Sequence, residues 1–499
     1  MGTWSRGEQE NVRGAAYLAL AEGGSIDMQK PTMRALLGVF GVVAVAACTM
    51  SAPTQGVVTT SGAATRAAGT TSPSSAVPSP GTTDPTASSS AAVAASGDTT
   101  THDGAGAAPL LAASTVAPAA ALADVAAATH AMAAPEIAHA GKLAHFHDAL
   151  RALEAQERKA HVRILWLGDS HAQADFWTGG VRTALQKRFG NAGPGFVHLG
   201  MKGYRHDDID VEVDGGWRMR PRQPSTVAPF GDGAFGLGGI LHAGFSGKRA
   251  ASLRLTDASL AGKPLTWDVC YKAGLASDDF AISLGDAHRE RIKSPTVDEA
   301  LHHLEFANTG LAKLDISIRD GRPDFCGVRI EVDPQKHPGV VLDNVGINGA
   351  RYATALAWNE AAWAKEVARH PPDLFVFEFG GNEASDPVVK PAEYEKNTRA
   401  LILRGKRIRR EASCLVVGPA DRVDAEARIP PINDAMRRAA LAEGCMFWDT
   451  HAVMGGKGSL TRWRDEKKAS PDGVHLMPRG YSELAALLTA DLLAGYRRP

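Results

Sequence analysis

Residues Ile164–Trp177 read "ILWLGDSHAQADFW". An apolar run stops at Gly168, Asp169, Ser170 and His171. Such a stop is either a plain turn or a nucleophile set at the end of a strand. A serine hydroxyl attacks an ester carbonyl when a neighbouring base takes its proton. Near the other end of the chain, "SPDGVHLMPRGY" offers His475 as that base. Asp472, three residues earlier, can orient its imidazole from the same turn. The tetrahedral oxyanion then needs donors. The candidates are the backbone N–H of Ser170, the backbone N–H of Gly349 in "NVGINGA", and the side-chain amide of Asn382 in "EFGGNEA". Glycine at 349 lets its N–H approach a ligand closely. Each motif alone also has a bland meaning, as a chance tripeptide, a capped turn or a loop. Their joint order is what points to acyl chemistry.

The elements that must position these residues are legible as apolar runs. Val162–Leu167, Val340–Val345, Leu374–Phe379, Cys414–Val417 and Met446–Trp448 read as strands. Helical stretches near 178–189, 351–368, 392–411, 424–442 and 480–495 separate them, and "KLAHFHDALRALEAQ" forms an amphipathic helix before the first. Continuous apolar strands alternating with helices describe a parallel sheet covered on both faces. Ligands bind such sheets at the carboxyl ends of the strands. Ser170, Gly349 and Asn382 each follow a strand, and Asp472 and His475 precede the last helix. From 205 to 338 the texture changes. "KLDISIRD" puts Leu314, Ile316 and Ile318 on one face, and "CGVRIEVD" does the same with Val328, Ile330 and Val332. This period of two predicts half-buried antiparallel strands and a β-sandwich inserted into the α/β domain.

The order of Ser170 in "GDSH", Gly349 in "GINGA", Asn382 in "GGNE" and Asp472/His475 in "DGVH" resembles the SGNH hydrolases, also called the GDSL family. The resemblance covers roughly 162–204 and 340–495. It implies a flavodoxin-like three-layer α/β/α fold with Ser170 as nucleophile, His475 as base, Asp472 as its partner, and Ser170, Gly349 and Asn382 as oxyanion hole. His171 replaces the usual Leu, and Glu383 stands where Asp often follows Asn. The serine is not in a G-x-S-x-G elbow, which argues against an α/β-hydrolase. The longer run "GDSHAQADFWTGGVRTALQKRFGNAGPGFVHLGMKG", a β-rich insertion and then "GINGA" is similar to the peptidoglycan O-acetylesterases of the Gram-negative periplasm. That similarity implies a carbohydrate-binding-like insertion. It also implies hydrolysis of the acetyl ester at C6 of N-acetylmuramic acid through an acetyl-enzyme, without cofactor or metal. The alternatives are an esterase or O-acetyltransferase acting on another cell-surface polysaccharide, and a non-catalytic wall-binding lipoprotein.

The remaining features bound location and partners. The chain has 499 residues, room for two or more domains, and a formal net charge of −1 that gives no global field for nucleic acid. Lys30 and Arg34 precede "ALLGVFGVVAVAA", a secretory signal ending at Cys48. "VAAC" resembles a lipobox, which implies lipid attachment at Cys48 and, with Thr49 following, the outer membrane. The plain alternative is a cleaved signal with an incidental cysteine. Met28 or Met33 is the more natural start. The organisation expected is therefore a leader over 1–48, a disordered Ala/Ser/Thr/Pro tether over 49–130, a hydrolase domain over 131–204 and 339–499, and the insertion over 205–338. The expected partner is O-acetylated peptidoglycan or another acetylated glycan, with membrane contact through the anchor alone. In an oxidising compartment four further cysteines allow two disulfides. Cys270 with Cys326 and Cys414 with Cys445 would keep each pair within one domain; four buried free thiols are the alternative. His171, Asp175 and Trp177 are candidates for the acyl pocket. Arg205 and His206 are candidates for sugar contact, and "RWRDEKK" (462–468) is expected as a solvated loop.

Overall fold

The computed structural model describes residues 141–200, 204–244, 249–274, 277–293 and 300–496. The leader, Cys48 and the tether lie outside the described residues. Among those described, no helix is long and apolar enough to cross a membrane.

The α/β half is built on a five-stranded parallel sheet. Its strands are β1 (Val162–Gly168), β13 (Val340–Gly346), β14 (Leu374–Glu378), β15 (Ser413–Val417) and β16 (Met446–Trp448), in the spatial order β13-β1-β14-β15-β16. Every residue of these strands is buried. Alternate residues enter different cores, because strand side chains alternate across the sheet. Ile164, Trp166, Val376 and Val417 join one cluster, and Leu165, Leu167, Phe377 and Val416 the other. Each fully buried side chain of this size contributes about 1.5–3 kcal/mol, so the sheet forms a stiff base for the loops at its carboxyl edge.

Helices lie over both faces. The stretch expected at 351–368 is two helices, Tyr352–Leu356 and Glu360–Arg369, because Asn359 interrupts it and caps the second by accepting from the Ala362 N–H. The next two are Pro391–Ile408 and Ile429–Ala442. The latter starts later than the expected 424, since Pro430 and Pro431 fit only in a first helical turn. "RWRDEKK" is not a loop. Its first half belongs to the helix Ser459–Asp465, anchored by the buried Trp463. The last helix is Pro478–Leu493.

The inserted half stacks two antiparallel sheets. One contains β10 (His302–Thr309), β7 (Leu265–Lys272), β12 (Asp324–Val332), β5 (Leu241–Gly244) and β4 (Trp217–Arg220), with β2 (Gly195–Val197) also paired to β12. The other runs β3 (Ile209–Val213), β6 (Arg249–Leu255), β11 (Lys313–Asp320), β8 (Asp279–Leu284), β9 (His288–Lys293). Leu314, Ile316 and Ile318 do share a buried face. β12, expected to be half-buried, is buried on both faces. Val328, Ile330 and Val332 fill the sandwich core, while Arg329 and Glu331 on its other face meet Arg163 and Asp343 of the parallel sheet. The structure joins Cys270 to Cys326 across β7 and β12, and Cys414 to Cys445 beside β15 and β16.

Candidate active site

Ser170 opens the short helix Ser170–Gln173, directly after β1. Asp169 caps it, accepting from the His171 N–H at 3.0 Å. The turn is tight. A Cβ added at Gly168 would sit 2.6 Å from Ala172 Cβ and 3.0 Å from Glu378 Oε2, so only glycine fits there.

The turn before the last helix delivers the base. Asp472 Oδ1 accepts the Val474 and His475 N–H groups, both at 2.9 Å, which folds the Asp-Gly-Val-His turn onto its own carboxylate. Asp472 Oδ2 accepts from His475 Nδ1 at 2.8 Å. A carboxylate can only accept, so the proton resides on Nδ1 and Nε2 is left to accept. The Ser170 hydroxyl donates to that Nε2 at 2.8 Å. Burial would raise the Asp472 carboxyl, but the hydrogen bonds from His475 and Val474 outweigh it and hold the group at about 2. It is therefore a fixed anion at working pH. The site is open: the His475 and Asp472 side chains keep 39% and 47% of their surface exposed, so a bulky ester can reach Ser170.

The proposed oxyanion donors come from strands on either side of β1. Ile347 N–H donates to Gly168 O at 3.0 Å, which carries the chain from β13 into the Gly349 turn beside Ser170. Gly349 adopts φ +77°, a conformation that side chains rarely tolerate. Asn382 follows β14. Its amide donates to Ala350 O at 2.9 Å and, at a longer 3.3 Å, to Asp169 Oδ2. The shorter bond fixes the amide, and the longer one ties it to the carboxylate that caps the Ser170 turn.

Several neighbours differ from expectation. Asp175 does not line a pocket: it is fully buried, paired with Arg182 at 2.9 Å and bonded to Thr178 at 2.7 Å. Burial opposes its ionisation, but Arg182 holds it well below the usual carboxylate range. Trp177 packs between Trp166 and Trp448 in the core. His206 is buried, with burial holding it down to about 4, and does not face sugar. Arg205 lies over the Phe176 ring at 3.6 Å. His171 is buried beneath the base, its ring 5.2 Å from that of His475. Burial pushes it down to about 3, so it is neutral, and its Nδ1 shares a hydrogen bond with the Tyr481 hydroxyl at 2.9 Å.

Sequence reasoning missed two supports. Arg422, buried after β15, donates to Gly381 O at 2.6 Å and to Ser385 Oγ at 3.0 Å, bracing the Asn382 loop. Its only signal was a cation at a strand's carboxyl end. Ser225, between β4 and β5, lies against Gly349: a Cβ built on that glycine would be 3.3 Å from Ser225 Oγ. Thr354 Oγ1 donates to Ser225 O at 2.9 Å. The inserted half thus reaches the oxyanion turn, which no local pattern could announce. Cys270, His303 and Glu366 cluster within 4.8 Å, but the Cys270 sulfur is bonded to Cys326 and does not suit a metal.

Residues 321–482 match the GDSL-like Lipase/Acylhydrolase family. Among solved structures, a peptidoglycan O-acetylesterase is similar at 24% identity and a TM-score of 0.59, covering 70% of this chain and 95% of that one. A family two carbohydrate esterase from Cellvibrio japonicus covers 58% of this chain and 98% of its own at 10% identity and a TM-score of 0.24. A carbohydrate esterase of family 3 from Talaromyces cellulolyticus covers 30% and 70% at 16% identity and a TM-score of 0.25. The last two are too distant to bear on the fold. No curated protein matches the chain. The family match spans the Gly349, Asn382 and Asp472/His475 segments, and the parallel sheet adds Ser170 to them from upstream of the insertion. Residues 321–482 are thus similar to the GDSL-like lipase/acylhydrolase family, the fold is that of the solved peptidoglycan O-acetylesterase, and the Ser170–His475–Asp472 arrangement is that of a serine esterase.

Proposed function

We propose that the chain removes O-acetyl groups from peptidoglycan, at the C6 oxygen of N-acetylmuramic acid, as a lipid-anchored periplasmic protein. The observation that carries the reading is the open Ser170–His475–Asp472 arrangement with a hydroxyl of the inserted half at its rim. A polymeric ester needs access more than enclosure. The similar fold of the solved peptidoglycan O-acetylesterase, along nearly its whole length, supports the substrate class.

The proposed reaction runs in two halves. Ser170 Oγ attacks the acetyl carbonyl while its proton passes to His475 Nε2, and Asp472 stabilises the imidazolium. The oxyanion takes N–H groups from Ser170, Gly349 and Asn382. Collapse breaks the bond to the sugar oxygen, which receives the proton from Nε2. The product sugar leaves Ser170 acetylated. Water then gives a proton to His475 and attacks the acetyl carbonyl. Acetate departs, and the proton returns to Ser170.

The test is acetate release from O-acetylated peptidoglycan by the purified protein, beside Ser170→Ala and an acetylated xylan control. Release from peptidoglycan, abolished in the variant, is expected. Turnover of a small aryl acetate with none of peptidoglycan would overturn the substrate and keep the serine chemistry.

A further inference from the structure

The two outer oxyanion donors sit on strands that do not touch. β13 and β14 flank β1, so no ladder hydrogen bond runs between them. Side chains must set the distance from the Gly349 turn to Asn382, and the Asn382 amide itself reaches Ala350 O at 2.9 Å. Glu383 spans that gap. Its side chain is buried. Its Oε2 accepts the Gly380 N–H at 3.0 Å, two residues before Asn382. Its Oε1 accepts the Tyr352 N–H at 3.0 Å, three residues after Gly349. Arg351 and Asp386 add a more exposed pair across the same two segments, at 2.7 Å.

We propose that Glu383 is a positioning residue for the transition state: one carboxylate, bonded to a backbone N–H on each loop, fixes the separation of the Gly349 and Asn382 donors. The proposal rests on the esterase reading of Ser170. Two acceptor oxygens are required, because both partners are donors. An amide side chain offers only one, and turns its NH₂ toward the other N–H. The choice is also costly. Burial pushes the Glu383 carboxyl up to about 7, and a group that only filled space would be better replaced by an apolar one. The one-methylene length of Glu over Asp, the departure from the family pattern at this position, is what lets it reach Tyr352.

The test compares wild type, Glu383→Gln, Asn382→Ala and the double variant on an aryl acetate, with a small alkyl boronic acid as a tetrahedral mimic. Misplaced donors cost rate without costing ground-state binding. For E383Q the expected result is a fall in kcat of about 10- to 100-fold with KM unchanged. The boronate Ki should rise by the same factor, and the double variant should be little worse than N382A alone. Should E383Q not fold, Glu383→Asp, which keeps the charge and shortens the arm, is read in the same way. A folded variant with wild-type kcat and boronate affinity, or with losses that simply multiply with those of N382A, would reduce Glu383 to a structural brace. A wild-type protein that turns over no ester would instead overturn the esterase reading, and this role with it.

Discussion

At the scale of single residues, the hydrogen-bond chain from Asp472 through His475 to Ser170 defines the chemistry. Asp472 holds the imidazole in the tautomer that can accept the serine proton. Asp472→Asn offers an N–H or a weaker acceptor there, so kcat should fall by about two to four orders of magnitude. Circular dichroism should stay unchanged, and steady-state turnover of an aryl acetate reads the loss. These three residues were legible because they stand in one order with Gly349 and Asn382 at strand ends and before the last helix, although each motif alone is commonplace. Arg422 and Glu383 were not, because one buried cation or acid looks like any other until its partners are known. Asp175 and Trp177 were misread for a related reason: nearness in sequence to a nucleophile says nothing about which face of the turn a side chain takes.

At the scale of elements, the strand-to-helix turn at Gly168–Ser170 is the narrowest fit in the site. Gly168→Ala places a methyl against Ala172 and Glu378. The Ser170 helix must shift, at a cost of about 1–3 kcal/mol. The expected outcome is a lowered Tm together with a kcat loss larger than the change in KM, read by calorimetry and kinetics on one preparation. The parallel strands were readable as unbroken apolar runs because both of their faces are covered. The same logic misled at β12, whose Arg329 and Glu331 look solvated in sequence and are in fact buried against the parallel sheet. Charges that pair across a domain seam are indistinguishable from surface charges in one dimension. The helix Ser459–Asp465 failed likewise, since one buried Trp463 carries it through a run of charge.

At the scale of the whole molecule, the seam between the two halves carries its own titration. His303 on β10 faces Asp268 on β7 at 3.0 Å and Glu366 on the helix Glu360–Arg369 at 3.1 Å, while Arg369 pairs with Asp268 and Glu305. Burial would lower the His303 imidazole, but the two carboxylates outweigh it and hold it up to about 9. An unfolded histidine titrates near about 6.5. The stabilisation is therefore complete below that value and lost as pH rises through about 9. Wild-type Tm should fall by a few degrees across that window, and His303→Gln should flatten the change; a thermal melt at each pH checks it. A matching slope in the variant would show that the seam does not depend on this proton. The interlocking of the halves was legible only as a change of texture, because which strand meets which is a three-dimensional fact.

The order of the strands has a consequence for how the molecule is made. β1, which carries the nucleophile, lies between β13 and β14, and both are synthesised after the whole inserted domain. Until then its two edges have no partner, and an apolar strand with bare edges is prone to stick to other chains. Closing so long a loop is entropically expensive, though the cost grows only slowly with length. An insertion that has already folded replaces that loop with a compact body whose ends are fixed. The strand that leads to Ser170 can therefore gain its two neighbours only after the whole sandwich has been synthesised.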